Sequence, residues 1–473
     1  MAIIILLWAL GFGLLELYAH RGTVPSGVKI GSTEIGGLPF EEAKQAVEQE
    51  QQRIRAGQVN YYVPAISGNA PAHIRMNWEQ SGVDYSSEEL AQELSKLNGG
   101  TLWNRVKTRW YFPKQWQYTV RWDRKKLTSV LSPSWEKKQF GSPINARRIL
   151  LANDTFRYEA GSSAIRIDWS TLNESFRKAI PKTSQDAFHD KTLEIPLWDA
   201  PPAVTLDILK EQGIDHKLTE FQTHLTTSTE GRVHNVEAAS QIIDGMLLAP
   251  GEVFDYSKVV ERAEHTYGFQ PAPVIFQGRL IPGIGGGICQ VSSTLYGAAI
   301  RAGLQIVERR NHSLPVSYLP KGQDATFAKG YINFKFRNTT SHYVLIHSQV
   351  EDLKLSVKLF GDLPEDEHYE ITSKVIEEIQ AQNKYVANAA LPAGSSQLIQ
   401  PGKPGYIVET YRTKWIQGKP KAPERISRDT YPAQPNLIGV HHIPTDPGSE
   451  SVPRPSKDRI LEDGVSSLLI PYS

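Results

Sequence analysis

Cys289 is the single cysteine among 473 residues. It stands where a glycine run ends and a helical pattern begins, in Pro282-Gly283-Ile284-Gly285-Gly286-Gly287-Ile288-Cys289-Gln290-Val291-Ser292. A thiol attacks as its thiolate, and needs a base within hydrogen-bond reach and a third group to orient that base. His312 follows 23 residues later and Asp324 another 12 after that, one candidate for each role. The backbone N–H of Cys289 or the side chain of Gln290 could hold an oxyanion. Gly285, Gly286, Gly287, Gln290, Ser292 and Arg309 are the residues expected to line a bound substrate. The competing reading makes Cys289 a small buried apolar side chain at a tight helix start.

The elements around these residues follow from the pattern. Val291, Leu295, Ala298 and Ala299 fall at i, i+4, i+7 and i+8, one face of a helix, and Gly303 supplies its stop. Cys289 then lies in the first helical turn, where unpaired N–H groups and the positive dipole end favour a thiolate. The same glycine-to-helix junction could bind a phosphate or carboxylate. Bare glycines let a substrate, or a neighbouring backbone, come close. Other chemistries fare worse. The glycine run lacks the third glycine of a dinucleotide fingerprint, no Gly-Lys-Ser/Thr follows, and there is no His-Glu-x-x-His. His342 and His347, and the adjacent His441 and His442, read as surface histidines rather than metal ligands. No cofactor and no metal are expected.

The stretch Gly285-Gly286-Gly287-Ile288-Cys289-Gln290-Val291-Ser292-Ser293-Thr294-Leu295 resembles the signature of the VanW family, with Ser293 where a second threonine is expected. The resemblance extends upstream through Phe221-Gln222-Thr223, residues 235–239, Pro250-Gly251-Glu252-Val253-Phe254 and Tyr267-Gly268-Phe269. Downstream it takes in Glu308-Arg309-Arg310-Asn311-His312-Ser313, Gly322-Gln323-Asp324-Ala325-Thr326 and Phe336-Arg337-Asn338. It implies a role in the cell envelope and names no reaction. The order cysteine on a helix, histidine after the next strand, then aspartate is similar to that of transglutaminase-like and papain-like enzymes, which attack acyl carbons. In a cell wall that implies a stem peptide or peptide crosslink.

Balanced charge, 52 lysines and arginines against 51 aspartates and glutamates, gives no footprint for nucleic acid. One cysteine excludes an intramolecular disulfide framework. Residues 2–15 are an unbroken apolar run with no basic residue before it, so residues 1–21 read as an uncleaved membrane anchor or signal, with the body extracytoplasmic. The fold class expected is α+β and multidomain. Residues 22–205 form an α+β repeat region with three strand-then-helix units, in which Asp84, Asp123 and Asp168 are read as caps. Through Asn145-Ala146-Arg147 and residues 161–169 this region resembles a peptidoglycan-binding domain that precedes VanW domains. Trp116, Tyr118, Val120 and Trp122 alternate as a half-buried strand, while Trp103, Trp110, Arg105, Lys107 and Arg109 form a candidate polymer- or membrane-facing surface. The central α+β domain is placed at 215–362. An all-β module at 368–443 resembles the five-glycine cell-surface domain through Gly402, Gly405, Gly418 and Gly439. Residues 444–473 read as a flexible tail, richest in proline and serine over 445–456. The expected partners are peptidoglycan or another wall polymer, and the membrane. The function expected is wall binding, with a cysteine-dependent acyl enzyme as the alternative.

Overall fold

The computed structural model describes all residues except 67–69, 190, 277, 365, 442–459 and 468–473. The chain divides into two compact units, residues 1–146 with 161–205, and residues 147–160 with 206–473.

The first unit is the α+β repeat region. Its strand-then-helix pattern is realised three times: Val83–Ser86 into Glu88–Lys96, Thr119–Trp122 into Arg124–Val130, and Ala164–Ile167 into Trp169–Ala179. Asp123 and Asp168 accept hydrogen bonds from the first-turn N–H groups of their helices. Asp84 differs from expectation: it lies inside its strand and is held by the Arg55 guanidinium at 2.5 Å, because the helix after it starts only at Glu88, with Ser87 at its N-cap. Trp122 stacks on Phe176 at 4.4 Å, which ties the second repeat to the third. Trp116, Tyr118, Val120 and Trp122 do not lie on one strand, although Trp116, Tyr118 and Trp122 do pack in the core. Gln115–Trp116 pairs in parallel with Lys29–Ile30, Thr119–Trp122 pairs with Val83–Ser86, and Val120 is exposed. Arg109 is also a correction. It is buried and donates to the backbone carbonyls of Thr23 and Arg21, so it is no surface ligand. Helix Ala2–Ala19 exposes apolar side chains around its circumference, and among the described residues no helix is long and apolar enough to cross a membrane.

The second unit contains the cysteine. Its main sheet is antiparallel, in the order His216–His224, Lys354–Gly361, Val344–Glu351, Leu247–Leu248. Alternation in Lys354–Gly361 puts Leu355, Val357 and Leu359 on one buried face. Helix Ile288–Arg301 lies on that sheet and is buried almost throughout, as a helix with apolar and small residues all round must be. Gly297 sits where an added Cβ would strike the Phe221 ring, so the glycine sets how closely helix and sheet approach. The hairpin Arg147–Leu150 and Phe156–Glu159 belongs to this unit rather than to the repeat region. Phe156 packs edge-on against Phe360, and Asp154 bonds Lys217 and Lys358.

Strands Glu367–Ile379, Gly405–Ile416 and Glu424–Tyr431 form the expected β module, with a second sheet of Asn383–Ala387, Asn436–Val440 and Ser396–Gln400. It shares one compact unit with the cysteine helix. Of the tail expected to be flexible at 444–473, residues 444–459 and 468–473 lie outside the described residues, while residues 461–467 are held in a sheet. Leu461–Glu462 pairs with Pro271–Phe276, and Ser466–Ser467 with Arg279–Ile284, so the segment brackets both edges of one hairpin. Its sequence, Leu461-Glu462-Asp463-Gly464-Val465, has the apolar residues and the Asp-Gly turn that the proline-rich stretch before it lacks.

Candidate active site

Cys289 occupies the first turn of helix Ile288–Arg301, after an N-cap, Gly287, at φ +108° that only glycine adopts without strain. The helix start is fixed from below by the Tyr256 hydroxyl, which donates to the Ile288 carbonyl at 2.6 Å. Segment 322–327 runs along the helix. The Ser292 hydroxyl donates to the Ala325 carbonyl at 2.6 Å, and the Ala325 N–H donates to Ser293 Oγ at 3.0 Å. This registration delivers the Phe327 N–H to the Cys289 sulfur at 3.0 Å and leaves Thr326 Oγ1 3.8 Å from it.

His312 and Asp324 meet here. The His312 ring Nδ1 and the Asp324 carboxylate are 2.7 Å apart, and the His312 backbone N–H donates to the same oxygen at 2.7 Å. The other oxygen accepts from the Tyr431 hydroxyl at 2.5 Å. Arg309 clamps the loop, donating to the Asp324 carbonyl at 2.6 Å and to the Asp429 carboxylate at 2.5 Å. With Nδ1–H committed to Asp324, Nε2 is the ring nitrogen left for a reacting partner, and among the described residues this buried nitrogen makes no hydrogen bond of good geometry. Asp324 and Phe327, three residues apart on one segment, bond His312 and Cys289 in turn, and each of the two bears on the other's protonation.

Burial pushes the Cys289 thiol up and the Asp463 charge adds to this, against the opposing pull of His312 and the Phe327 N–H. The closed site therefore holds a thiol. Burial opposes a charge on His312, yet the bond to Asp324 and the neighbouring cysteine drive it well above 6.5. Because the cysteine is itself pushed towards its neutral form, we assign the histidine's shift to Asp324. That carboxyl is raised by burial but brought down to about 2 by the His312 bond and charge, the Arg309 charge and Tyr431.

Not every expected residue faces the sulfur. Gln290 is a correction: its amide donates to Thr223 Oγ1 at 3.1 Å and to the His224 carbonyl at 2.9 Å, so it cannot stabilise an oxyanion at Cys289. Ser292 is used in registering the helix and Arg309 in holding Asp324, neither in lining a cleft. The glycine run is also not an open approach. A Cβ on Gly286 would strike the Pro273 carbonyl, one on Gly287 the Arg232 side chain, and one on Gly285 Val465, so the glycines admit the chain's own backbone. Cys289 and His312 are both about 1 % exposed or less.

What covers them includes residues the motif reading missed. Asp463 Oδ1 accepts from the N–H groups of Cys289 at 2.8 Å and Gly287 at 3.1 Å, and its other oxygen accepts from Arg232 at 2.9 Å. Glu462 accepts from the Ser313 N–H at 2.9 Å. The anion expected at the glycine-to-helix junction is thus a carboxylate of the chain itself. Tyr431 and Asp429 were missed because they belong to the β module. Among the described residues no group of three or more His, Cys, Asp or Glu side chains is placed to hold a metal.

Comparison with known proteins agrees with this layout. The family described as VanW like protein matches residues 231–360, and the G5 domain matches residues 370–440. The "Uncharacterized protein YoaR" of Bacillus subtilis (strain 168) is 38% identical over 157 residues, 33% of this chain and 52% of the relative. The "Vancomycin B-type resistance protein VanW" of Enterococcus faecalis (strain ATCC 700802 / V583) is 30% identical over 156 residues, 32% of this chain and 57% of the relative. The chain spans about half the length of these curated relatives. A solved IgA1 protease G5 domain is similar at 22% identity over 16% of this chain and 92% of that one, with a TM-score of 0.13. The two matched domains point to a cell-wall-associated protein. This chain carries a VanW domain that holds Cys289, His312 and Asp324, followed by a G5 domain that supplies Tyr431 to the same cluster.

Proposed function

We propose that the VanW domain is a cysteine-dependent acyl-transfer site acting on wall peptides, present here in a closed form. The observation that supports it is His312, held through Nδ1 by Asp324 and left with an unpaired, buried Nε2 beside the only thiol in the chain. In an open site the neutral form of His312 takes the thiol proton at Nε2 as the sulfur attacks an amide carbonyl. His312 returns the proton to the departing amine, leaving a thioester, which water or a second amine resolves. Asp324 positions the ring and stabilises its charged form.

A second reading concerns location and wall binding. Trp103, Trp110 and Tyr111 are each at least 70 % exposed on or beside helix Leu102–Trp110, which packs next to the exposed apolar helix Ala2–Ala19. Aromatic residues beside an apolar helix suit a membrane interface. On this reading the N-terminal helix seats the protein at the membrane, the body is extracytoplasmic, and the repeat region and G5 domain hold wall polymer.

The acyl reading is tested with the full chain and with a chain whose 460–473 segment is released by a protease site placed within 442–459. Each is incubated with a wall stem-peptide thioester, and intact mass is measured. An acyl adduct on Cys289, lost in His312→Ala, is expected from the released form. No adduct in either form overturns the reading. Membrane seating is tested by flotation of the full chain with vesicles of neutral and anionic phospholipid. Flotation lost on Leu6→Glu/Leu10→Glu is expected, and a chain that stays in the soluble fraction overturns it.

A further inference from the structure

Residues 461–467 lie on the candidate site as a bound peptide would. Leu461–Glu462 adds to the outer edge of Pro271–Phe276 and Ser466–Ser467 to the outer edge of Arg279–Ile284. Strand addition of this kind draws affinity from main-chain bonds, so a peptide of other sequence can make it equally well. Between the two strands the segment crosses above the cysteine helix and lodges one carboxylate. That carboxylate meets two backbone N–H groups, one of them the Cys289 N–H, and the Arg232 guanidinium. Arg232 is itself set by Gln290 Oε1 at 3.3 Å and lies against the Tyr318 ring.

Two features separate a stand-in from a permanent cap. The first is incomplete satisfaction. His312 Nε2, Ser313 Oγ and Tyr318 Oη are buried and have near neighbours in Cys289, Glu462 and Ser293, but none in good hydrogen-bond geometry among the described residues. All three border the segment: His312 and Ser313 beside Glu462, Tyr318 beside Asp463. Buried polar groups are ordinarily paired, and a peptide amide brought to this place offers both a donor and an acceptor. The second is charge. Glu462 and Asp463 are adjacent acids, both buried, and Arg232 is the one cation bonded to either of them among the described residues. Desolvating two neighbouring carboxylates weakens the segment's hold. While it stays, nothing can reach Cys289, so any chemistry at the thiol requires it to leave.

We propose that the groove filled by residues 461–467 is the docking site of a separate extended peptide bearing a carboxylate, which displaces this segment and seats its acid in the place of Asp463. The proposal deepens the acyl-site reading and rests on it for the bound peptide's role as substrate. Docking itself needs no reaction. The preferred ligand has a small residue after the acid, because a Cβ on Gly464 would strike the Val274 side chain and crowd the Ile284 carbonyl.

The test uses the full chain carrying the protease site within 442–459, cleaved after folding. The probe is a fluorophore-labelled synthetic peptide with the sequence of residues 460–467, followed by anisotropy. The cleaved chain is expected to exchange its own segment for the probe. A probe with Asp463→Asn is expected to bind at least about tenfold more weakly, having lost its charge-assisted bonds. Cys289→Ser chain is expected to bind the probe as the parent does. In the uncleaved chain Gly464→Val should raise the alkylation rate of Cys289 about tenfold or more, and added peptide should slow it again. Failure of the cleaved chain to exchange overturns the proposal, as does equal binding of the Asp and Asn probes. So does a Gly464→Val chain that is folded by circular dichroism yet alkylated at the parental rate. If that variant does not fold, the cleaved parental chain decides. Displacement that only yields dimers by size exclusion assigns the groove to a second copy and overturns the separate-peptide proposal. Probe binding without any acyl adduct on Cys289 removes the acyl reading and leaves this one standing.

Discussion

Replacing Asp324 by asparagine keeps the shape of the cluster and removes its charge. The Asp324 carboxyl sits near 2 in the folded protein against 3.8 for a free aspartate. At 1.36 kcal/mol per pH unit that difference is worth about 2–3 kcal/mol at neutral pH. Its folded pKa is lowered, so the contribution is complete above about pH 5 and is lost as pH falls through 3.8 towards 2. Roughly half of it remains at pH 3. His312 is shifted the other way, well above 6.5, so its share is complete below 6.5 and fades as pH rises through the raised value. These are two views of one interaction and are not summed. Asp324→Asn also strands Tyr431 and part of Arg309, and breaking a buried pair in this way costs about 3–5 kcal/mol in total. The assay is urea unfolding of both proteins between pH 3 and pH 9. The gap between them should be widest from about pH 5 to 6.5 and narrow on both sides. A gap that is constant across this range would refute the Asp324–His312 ion pair.

Further outcomes follow from the same packing. Cys289 in the uncleaved parental chain should react with a small alkylating reagent at least ~100-fold more slowly than a free cysteine, since burial and Asp463 both disfavour the thiolate; a near-free rate by mass spectrometry would contradict the closed site. Gly297→Ala should destabilise the second unit by about 1–3 kcal/mol in chemical denaturation, through overpacking against Phe221. Asp255 caps helix Tyr256–Tyr267 and also holds Asn333, so Asp255→Ala should cost about 1–2 kcal/mol by the same measurement. In the first unit, Asp123→Ala should lower the melting temperature more than Asp84→Ala, because only Asp123 caps a helix; the reverse order would overturn that assignment.

The chemistry was legible where it depended on local sequence. A glycine run feeding an apolar-faced helix located Cys289, and the residue types His312 and Asp324 named its partners. Their order carried no distance, yet the chain brings them together because segment 322–327 is registered on the helix by Ser292 and Ser293. Gln290 was misread because its neighbours across the fold, Thr223 and His224, lie 67 and 66 residues away. The glycines were rightly read as places of close approach, but the approaching group is residues 464–465 and the Pro273 carbonyl rather than a ligand. Asp463, 174 residues from Cys289, follows a long proline-rich stretch whose composition masked the short strand-forming sequence after it. The strand-then-helix repeats survived as local patterns; the alternation from Trp116 to Trp122 found three core residues but not one strand, because alternation says nothing of which sheet each half joins.

The hydroxyl of Tyr431 completes the Asp324 carboxylate, and Asp429 completes Arg309, although the two domain matches stop at 360 and resume at 370. A gene rearrangement that moved residues 231–360 alone would carry the thiol, the imidazole and the carboxylate, and leave behind the groups that fix the last two in place. The recipient would inherit a charge in the interior with half its partners gone. Moved together, residues 231–440 would keep Asp324 and Arg309 with the partners that this chain gives them.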